Sequence, residues 1–233
     1  MSLRITHHRV LLILAAFAVG AIACGSDTAN MTPPVGAQVA MKAGSDAQTG
    51  TVGAALPQPI SVHVTDANGN AAPGTKVTWT VASGGGTTSA ATSTANAAGD
   101  AATTWTLGTG AGANALVATI PGGAAVTLHA TGSAGVAATV TKVSGDGQTI
   151  GRGEQSALLV IKVADQYGNP IVGATVAWDF VSTGGGTFTA LTITEANGQA
   201  HATTYADYAG PGTYISKASV GVLTPVTFTV TAP

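Results

Sequence analysis

The sequence predicts an all-β protein made of one sandwich module written twice in tandem. Three observations carry this. Apolar and polar residues alternate with period two in several short runs. The turn-forming residues Gly, Asn and Pro cluster between those runs. The same succession of runs and turns recurs at an offset of 99 or 100 residues. Composition agrees. Charged residues make up 8% of the chain and hydrophobic residues 45%, with 32 glycines. Ordinary soluble domains carry about 25% charge, so surfaces of Lys–Glu helices are ruled out here. Thr and Val favour a pleated surface instead.

The N-terminus reads as an address. Arg4, His7, His8 and Arg9 precede the apolar run Leu11–Val19, and small residues follow as far as Ala23. A basic start, a short apolar stretch and a small-residue end describe a secretory signal, here residues 1–23. The run falls short of the roughly 20 apolar residues a membrane-spanning helix needs. Ala21-Ile22-Ala23-Cys24 resembles the lipobox of bacterial lipoproteins, with Ala21 where leucine is commonest. The resemblance implies cleavage before Cys24, acylation of that cysteine, and anchorage to a membrane through its lipid. Several acyl chains make such an anchor stable, since each buried CH₂ contributes about 0.8 kcal/mol. Gly25, rather than Asp, follows the cysteine, which by resemblance to enterobacterial lipoproteins points to the outer membrane and the cell surface. The alternative is an ordinary signal whose cleavage point lies beside a cysteine. Residues 24–37, polar and then Pro-rich, read as a tether.

The first module is expected over residues 38–132 and the second over 133–233, with a short flexible joint at Gly132-Ser133-Ala134-Gly135. Val64-Thr65-Asp66-Ala67-Asn68-Gly69-Asn70 matches Val163-Ala164-Asp165-Gln166-Tyr167-Gly168-Asn169. Val77-Thr78-Trp79 matches Val176-Ala177-Trp178. The glycine runs 84–86 and 184–186 match and read as hairpin turns. Thr103-Thr104-Trp105 aligns with Thr203-Thr204-Tyr205. Ile60, Val62 and Val64 alternate with Ser61, His63 and Thr65, so one strand face is buried and one is wet. A unit of about 100 residues suits a seven-stranded sandwich.

The ordered set of motifs is similar to the bacterial immunoglobulin-like (Ig-like) domain of the invasin and intimin type (group 1). Asp66, Gly69, Asn70, Gly74, Val77 and Trp79 fit the pattern in the first copy. Asp165, Gly168, Asn169, Gly173, Val176 and Trp178 fit it in the second. The resemblance covers nearly all of residues 38–233. It implies Greek-key Ig-like sandwiches of a kind found in bacterial surface proteins, as rod-like spacers or adhesive modules. It brings no catalytic residues. The partners it implies are other surface proteins, or host, matrix or glycan ligands. No outer-membrane barrel and no lectin-like tip domain is legible.

Each candidate site has a plainer role beside the chemical one. Asp66-x-Asn68-x-Asn70 begins like a calcium loop, but Ala71 and Val77 stand where Gly and an acidic ligand are needed, so it reads as a turn. Trp79 and Trp178 lie on the apolar side of a central strand and read as core rather than a sugar platform. Tyr205 reads as core in place of Trp105. Tyr208 sits in a loop and is the candidate ligand contact. Asp46 and Asp146 recur at the start of each module and read as structural. His63 aligns with Lys162 and His129 with Thr229, positions that tolerate replacement, while His201 falls at an insertion without a partner. No histidine pair has ligand spacing and no nucleophile elbow occurs. Nor do the glycine runs precede a lysine and a helix, as a phosphate loop requires. The reading is therefore a non-enzyme with no metal and no cofactor. Removing Arg4 and Arg9 leaves six basic residues against ten acidic ones, which excludes the basic stripe that nucleic acid demands. A glycan- or ligand-binding accessory lipoprotein is the alternative to a stalk or adhesion protein.

Overall fold

The computed structural model describes residues 36–122, 125–182, 191–206 and 211–233. The signal, Cys24, most of the tether, the second glycine run and Tyr208 lie outside the described residues. No helix occurs among those described. The described residues form one compact unit.

In the first sandwich, one sheet joins β1 (Gln38–Met41), β3 (Ile60–Thr65) and β7 (Asp100–Thr103). The facing sheet runs β2 (Gln48–Thr51), β10 (Ala125–Ser133), β9 (Gly112–Thr119), β4 (Lys76–Ser83) and β6 (Thr92–Thr94), in that order. A short pair, β5 (Gly86–Thr88) with β8 (Trp105–Leu107), stands apart. The second sandwich repeats the plan. β11 (Thr139–Ser144), β13 (Leu159–Ala164) and β16 (Gln199–Ala202) form one sheet. β12 (Gln148–Thr149), β18 (Val226–Ala232), β17 (Gly212–Ser219), β14 (Thr175–Phe180) and β15 (Leu191–Ile193) form the other. Pairing is antiparallel except where β2 meets β10 and β12 meets β18, which are parallel.

The alternation does what period two dictates. Ile60, Val62 and Val64 are fully buried, and so are their counterparts Leu159, Ile161 and Val163. Each sandwich has its own core. Trp79 and Trp178 sit in those cores at 4% and 3% exposure, so neither presents a face to a ligand. Their indole N–H groups donate to Ser93 Oγ at 2.9 Å and Thr192 Oγ1 at 2.8 Å, which satisfies the one polar atom each brings inside.

The structure corrects three readings of the sequence, two alignments and one turn. Leu56 N donates to Trp105 O, and Ser156 N donates to Thr204 O. Trp105 therefore corresponds to Thr204, not to Tyr205, and both are fully buried. Tyr205 takes the place of Thr106 and is half-buried. His201 pairs with Val160 as Ala102 pairs with Ser61, so it has a counterpart after all. The extra residue of the second copy lies later, between Ala206 and Gly212. The two cores fill their volume differently as a result. The first has Trp105 with Leu128, Val81 and Asn114, whereas the second has Thr204 with Phe228, Phe180 and Tyr214. Trp178 and Phe228 pack with ring centroids 6.0 Å apart. The third correction concerns Gly84–Gly86. This run does not close a hairpin, because β4 pairs with β6 and β9 while β5 pairs with β8. It carries the chain from one sheet to another, with φ at 79°, 75° and 93°. A Cβ on Gly84 would lie 1.9 Å from Asn114 Oδ1, so only glycine passes there.

Trp79→Ala and Trp105→Ala are each expected to lower stability by about 3–5 kcal/mol, as large-to-small changes in a packed core do. Trp105 Nε1 finds no acceptor among the described residues. Trp105→Phe should therefore cost less than Trp79→Phe, which breaks the bond to Ser93. Urea unfolding of the four variants checks both statements, and equal costs for the two Phe variants would refute the second.

Candidate functional site at the joint between the sandwiches

The Asp-x-x-Gly-Asn motif is a turn in both copies. Asp66 Oδ1 accepts from the amides of Asn68 at 2.8 Å and Asn70 at 2.9 Å, and Gly69 has φ 82°. Asp165 Oδ1 accepts from the amides of Tyr167 at 2.8 Å and Asn169 at 2.9 Å, and Gly168 has φ 87°. An aspartate that bonds its own downstream amides replaces a stretch of backbone ladder. These carboxylate oxygens are engaged by amide hydrogens, which fits a turn rather than a cation loop. No cluster of three or more metal-ligating side chains occurs among the described residues.

The two turns differ in what surrounds them. The first is open to solvent, and Asp66 is only half-buried. The second lies against the first sandwich, and Asp165 is 1% exposed. Asn169 Nδ2 donates to Thr109 O at 2.8 Å, and Ala111 N donates to Asn169 Oδ1 at 2.8 Å. Both ends of one carboxamide thus grip the loop before β9. Asp165 Oδ2 accepts from Gly135 N at 2.9 Å and from Asn169 Nδ2 at 2.9 Å. The Tyr167 hydroxyl lies over Gly53, where a Cβ would approach it to 2.7 Å. The joint is therefore bonded, whereas the sequence predicts a flexible one. The reason is that β10 runs on through Gly132 and Ser133, paired to Gly50 and Thr51, and Gly135 is held by Asp165.

Electrostatics follow the same lines. Burial works hardest on Asp165 and favours its neutral form. The bonds from the Asn169 side chain and from the Gly135, Asn169 and Tyr167 amides outweigh it and hold the carboxyl at about 2, below the usual 3.8. Asp46 is lowered, chiefly by the His129 amide, which it accepts at 2.6 Å. Asp146 is lowered by the Lys142 ammonium and then by the Thr229 amide. These two aspartates tie the loops before β2 and β12 to the closing strands β10 and β18. Asp100 is lowered by Lys42 and then by His63, whose Nδ1 lies 2.9 Å away.

A cleft of about 610 Å³ opens beside the joint, lined by Ala111, Gly112, Ser133 to Gly135, and Pro170 to Val172. None of those residues is an acid or a base, so the lining holds no group that would activate the Ser133 hydroxyl. Sequence reasoning missed Gly53, Thr109, Ala111 and the joint role of Tyr167 and Asn169. The available signal was asymmetry: Tyr167 stands opposite Asn68, and Pro211 stands immediately before β17 where Ala111 stands before β9.

A second difference lies on the outer edge of the larger sheets. Leu191 and Ile193 on β15 are 61% and 67% exposed, and Ala177 lies beside Leu191 on β14. The first sandwich has Thr92, Thr94 and Thr78 at these places. One edge is wet and the other apolar.

The depressed pKa of Asp165 gives a pH test. A carboxyl lowered in the folded state adds stability above its unfolded value, and that stability is lost as pH falls through the folded value. Wild type is expected to exceed Asp165→Asn in urea midpoint near neutral pH. The gap should shrink as pH drops from 3.8 toward about 2. A gap independent of pH would show that the charge is not what holds the turn.

No family model matches the sequence, and no curated protein matches it. Solved structures do. Yersinia pseudotuberculosis InvD is 19% identical with a TM-score of 0.52, over 84% of this chain and 56% of that one, so this chain spans little more than half of InvD. The Escherichia coli adhesin FdeC is 21% identical with a TM-score of 0.47, over 83% of this chain and 63% of that one. The D00-D0 domain of intimin is 16% identical with a TM-score of 0.43, over 82% of this chain and 98% of that one. The likeness is one of fold: the chain is built from Ig-like sandwiches similar to those of the intimin and invasin type.

Proposed function

We propose that this chain is a cell-surface stalk or adhesion protein, held to the envelope by lipid on Cys24, and that it carries out no catalysis. The observation that carries the reading is the repeated Ig-like sandwich with a bonded joint. Repetition extends reach without adding chemistry. The aspartates of the described residues are spent largely on turns and strand ties: Asp66, Asp165, Asp46 and Asp146 all bond backbone amides. The likeness to InvD supports the reading at the level of architecture.

The adhesive version has a specific place to act. Among the described residues, β15 is a sheet edge with outward Leu191 and Ile193. Open edges and exposed apolar side chains are the features on which partner strands add. The corresponding edge of the first sandwich carries threonines and offers far less apolar area.

Two outcomes test the proposal. Radiolabelled palmitate should enter the wild-type protein in the producing cell and should not enter Cys24→Ala; label in neither removes the anchor from the reading. Cells displaying the protein should adhere to host cells or extracellular matrix, and Leu191→Lys with Ile193→Lys should reduce adhesion at least about tenfold, the effect of losing about 1.4 kcal/mol at the contact. Undiminished adhesion would move the binding face elsewhere, and no adhesion at all would leave the stalk version alone.

A further inference from the structure

The structure assigns the Asp165–Asn169 turn a role beyond closing its own loop. It is a clasp that fixes the second sandwich on the first, so that the pair moves as one rigid body. This deepens the stalk reading, on which it rests, and stiffness is the property it adds. The Asn169 carboxamide accepts from Ala111 N and donates to Thr109 O, both at 2.8 Å, and so spans the loop before β9. A side chain bonded at both ends cannot rotate without losing both bonds. Asp165 holds the linker itself through Gly135 N at 2.9 Å. Tyr167 rests its hydroxyl over Gly53 in a separate loop, and that loop is tied to the end of β10 through Val52 N and Ser133 O at 3.0 Å. The attachments fall on three different segments of the first sandwich and its linker. Restraints at separate points oppose twisting as well as bending.

Comparison of the two copies indicates that this is a feature of the joint, not merely of the fold. The first copy keeps Asp66, Gly69 and Asn70, which build the turn, but has Asn68 where the second has Tyr167. The second sandwich has Pro211 where the first offers the Ala111 amide. The turn and its carboxamide are shared, whereas the Tyr167 side chain and the Ala111 amide that complete the grip are each found in one copy only and meet at this joint.

The test uses the exported chain with Cys24→Ser to keep it in solution, spin-labelled at Thr80→Cys and Thr227→Cys, both on exposed strand positions. Distances are read by double electron–electron resonance. Ala111→Pro removes the donor without touching the turn, and the sister position already carries proline. Tyr167→Ala removes the second attachment. The parent is expected to give one narrow distance distribution. The single variants should be broader and the double variant broadest, with thermal unfolding confirming that both sandwiches stay folded. A broad distribution in the parent, or a double variant as narrow as the parent, overturns the clasp. If Ala111→Pro does not fold, Tyr167→Ala alone decides in the same way. The measurement needs neither lipid nor ligand, so its failure is distinct from failure of the anchor or of adhesion.

Discussion

The Asp165 carboxylate receives the amides of Tyr167, Asn169 and Gly135 and the side chain of Asn169. Those bonds link a local turn to the linker and, through Asn169, to the first sandwich. Taking a carboxylate out of water is costly unless its lone pairs are occupied. Here the occupants come from the pieces of chain that must meet. Requirements of turn and joint are thus met by the same few atoms, and the rest of the arrangement follows from where this turn can sit. Its counterpart Asp66 meets only the local requirement and stays wetter.

The division of labour among residue types explains how a chain with 8% charged residues keeps two defined folds. Valine, isoleucine and leucine of alternate positions fill the cores, threonine and serine cover the outer faces, and Trp79 and Trp178 supply bulk with one satisfied N–H each. Aspartate is placed chiefly where backbone amides lack a ladder partner. Long ion-pair networks are absent among the described residues. Exposed pairs such as Lys217 with Asp179 at 3.3 Å contribute little in any case.

Much of the fold was legible. Period-two alternation placed Ile60, Val62 and Val64 inside, and the recurrence of Val-x-Trp marked the two core strands, because both signals are local and obey sheet geometry. The alignment near Trp105 failed for a physical reason. The string Thr-Thr followed by an aromatic recurs one residue out of step, and resemblance of letters outweighed the demand that the residue bonded to Leu56 or Ser156 point inward. A buried site that holds Trp in one copy and Thr in the other leaves no trace in a pairwise match. The joint was illegible for a different reason. Asn169 and Thr109 are 60 residues apart, and nothing in either segment announces that a carboxamide will meet a loop carbonyl. The mismatches of Tyr167 with Asn68 and of Pro211 with Ala111 were the hints that the two copies do not do the same work.

One consequence concerns force. In each sandwich a strand near the start lies parallel to the strand at the end: β2 beside β10 and β12 beside β18. Once the outermost strands β1 and β11 have peeled away, tension along the chain pulls the members of such a pair in opposite directions along their length. Their bonds are loaded together in shear instead of opening one by one. The first sandwich commits four residue pairs to this contact, from Gln48 with Ala130 to Thr51 with Ser133, and the second commits two. The second sandwich adds bonds from the Thr231 hydroxyl to Thr149 Oγ1 and Gln148 O along its shorter parallel contact, so in both modules the load falls on a set of bonds stretched together.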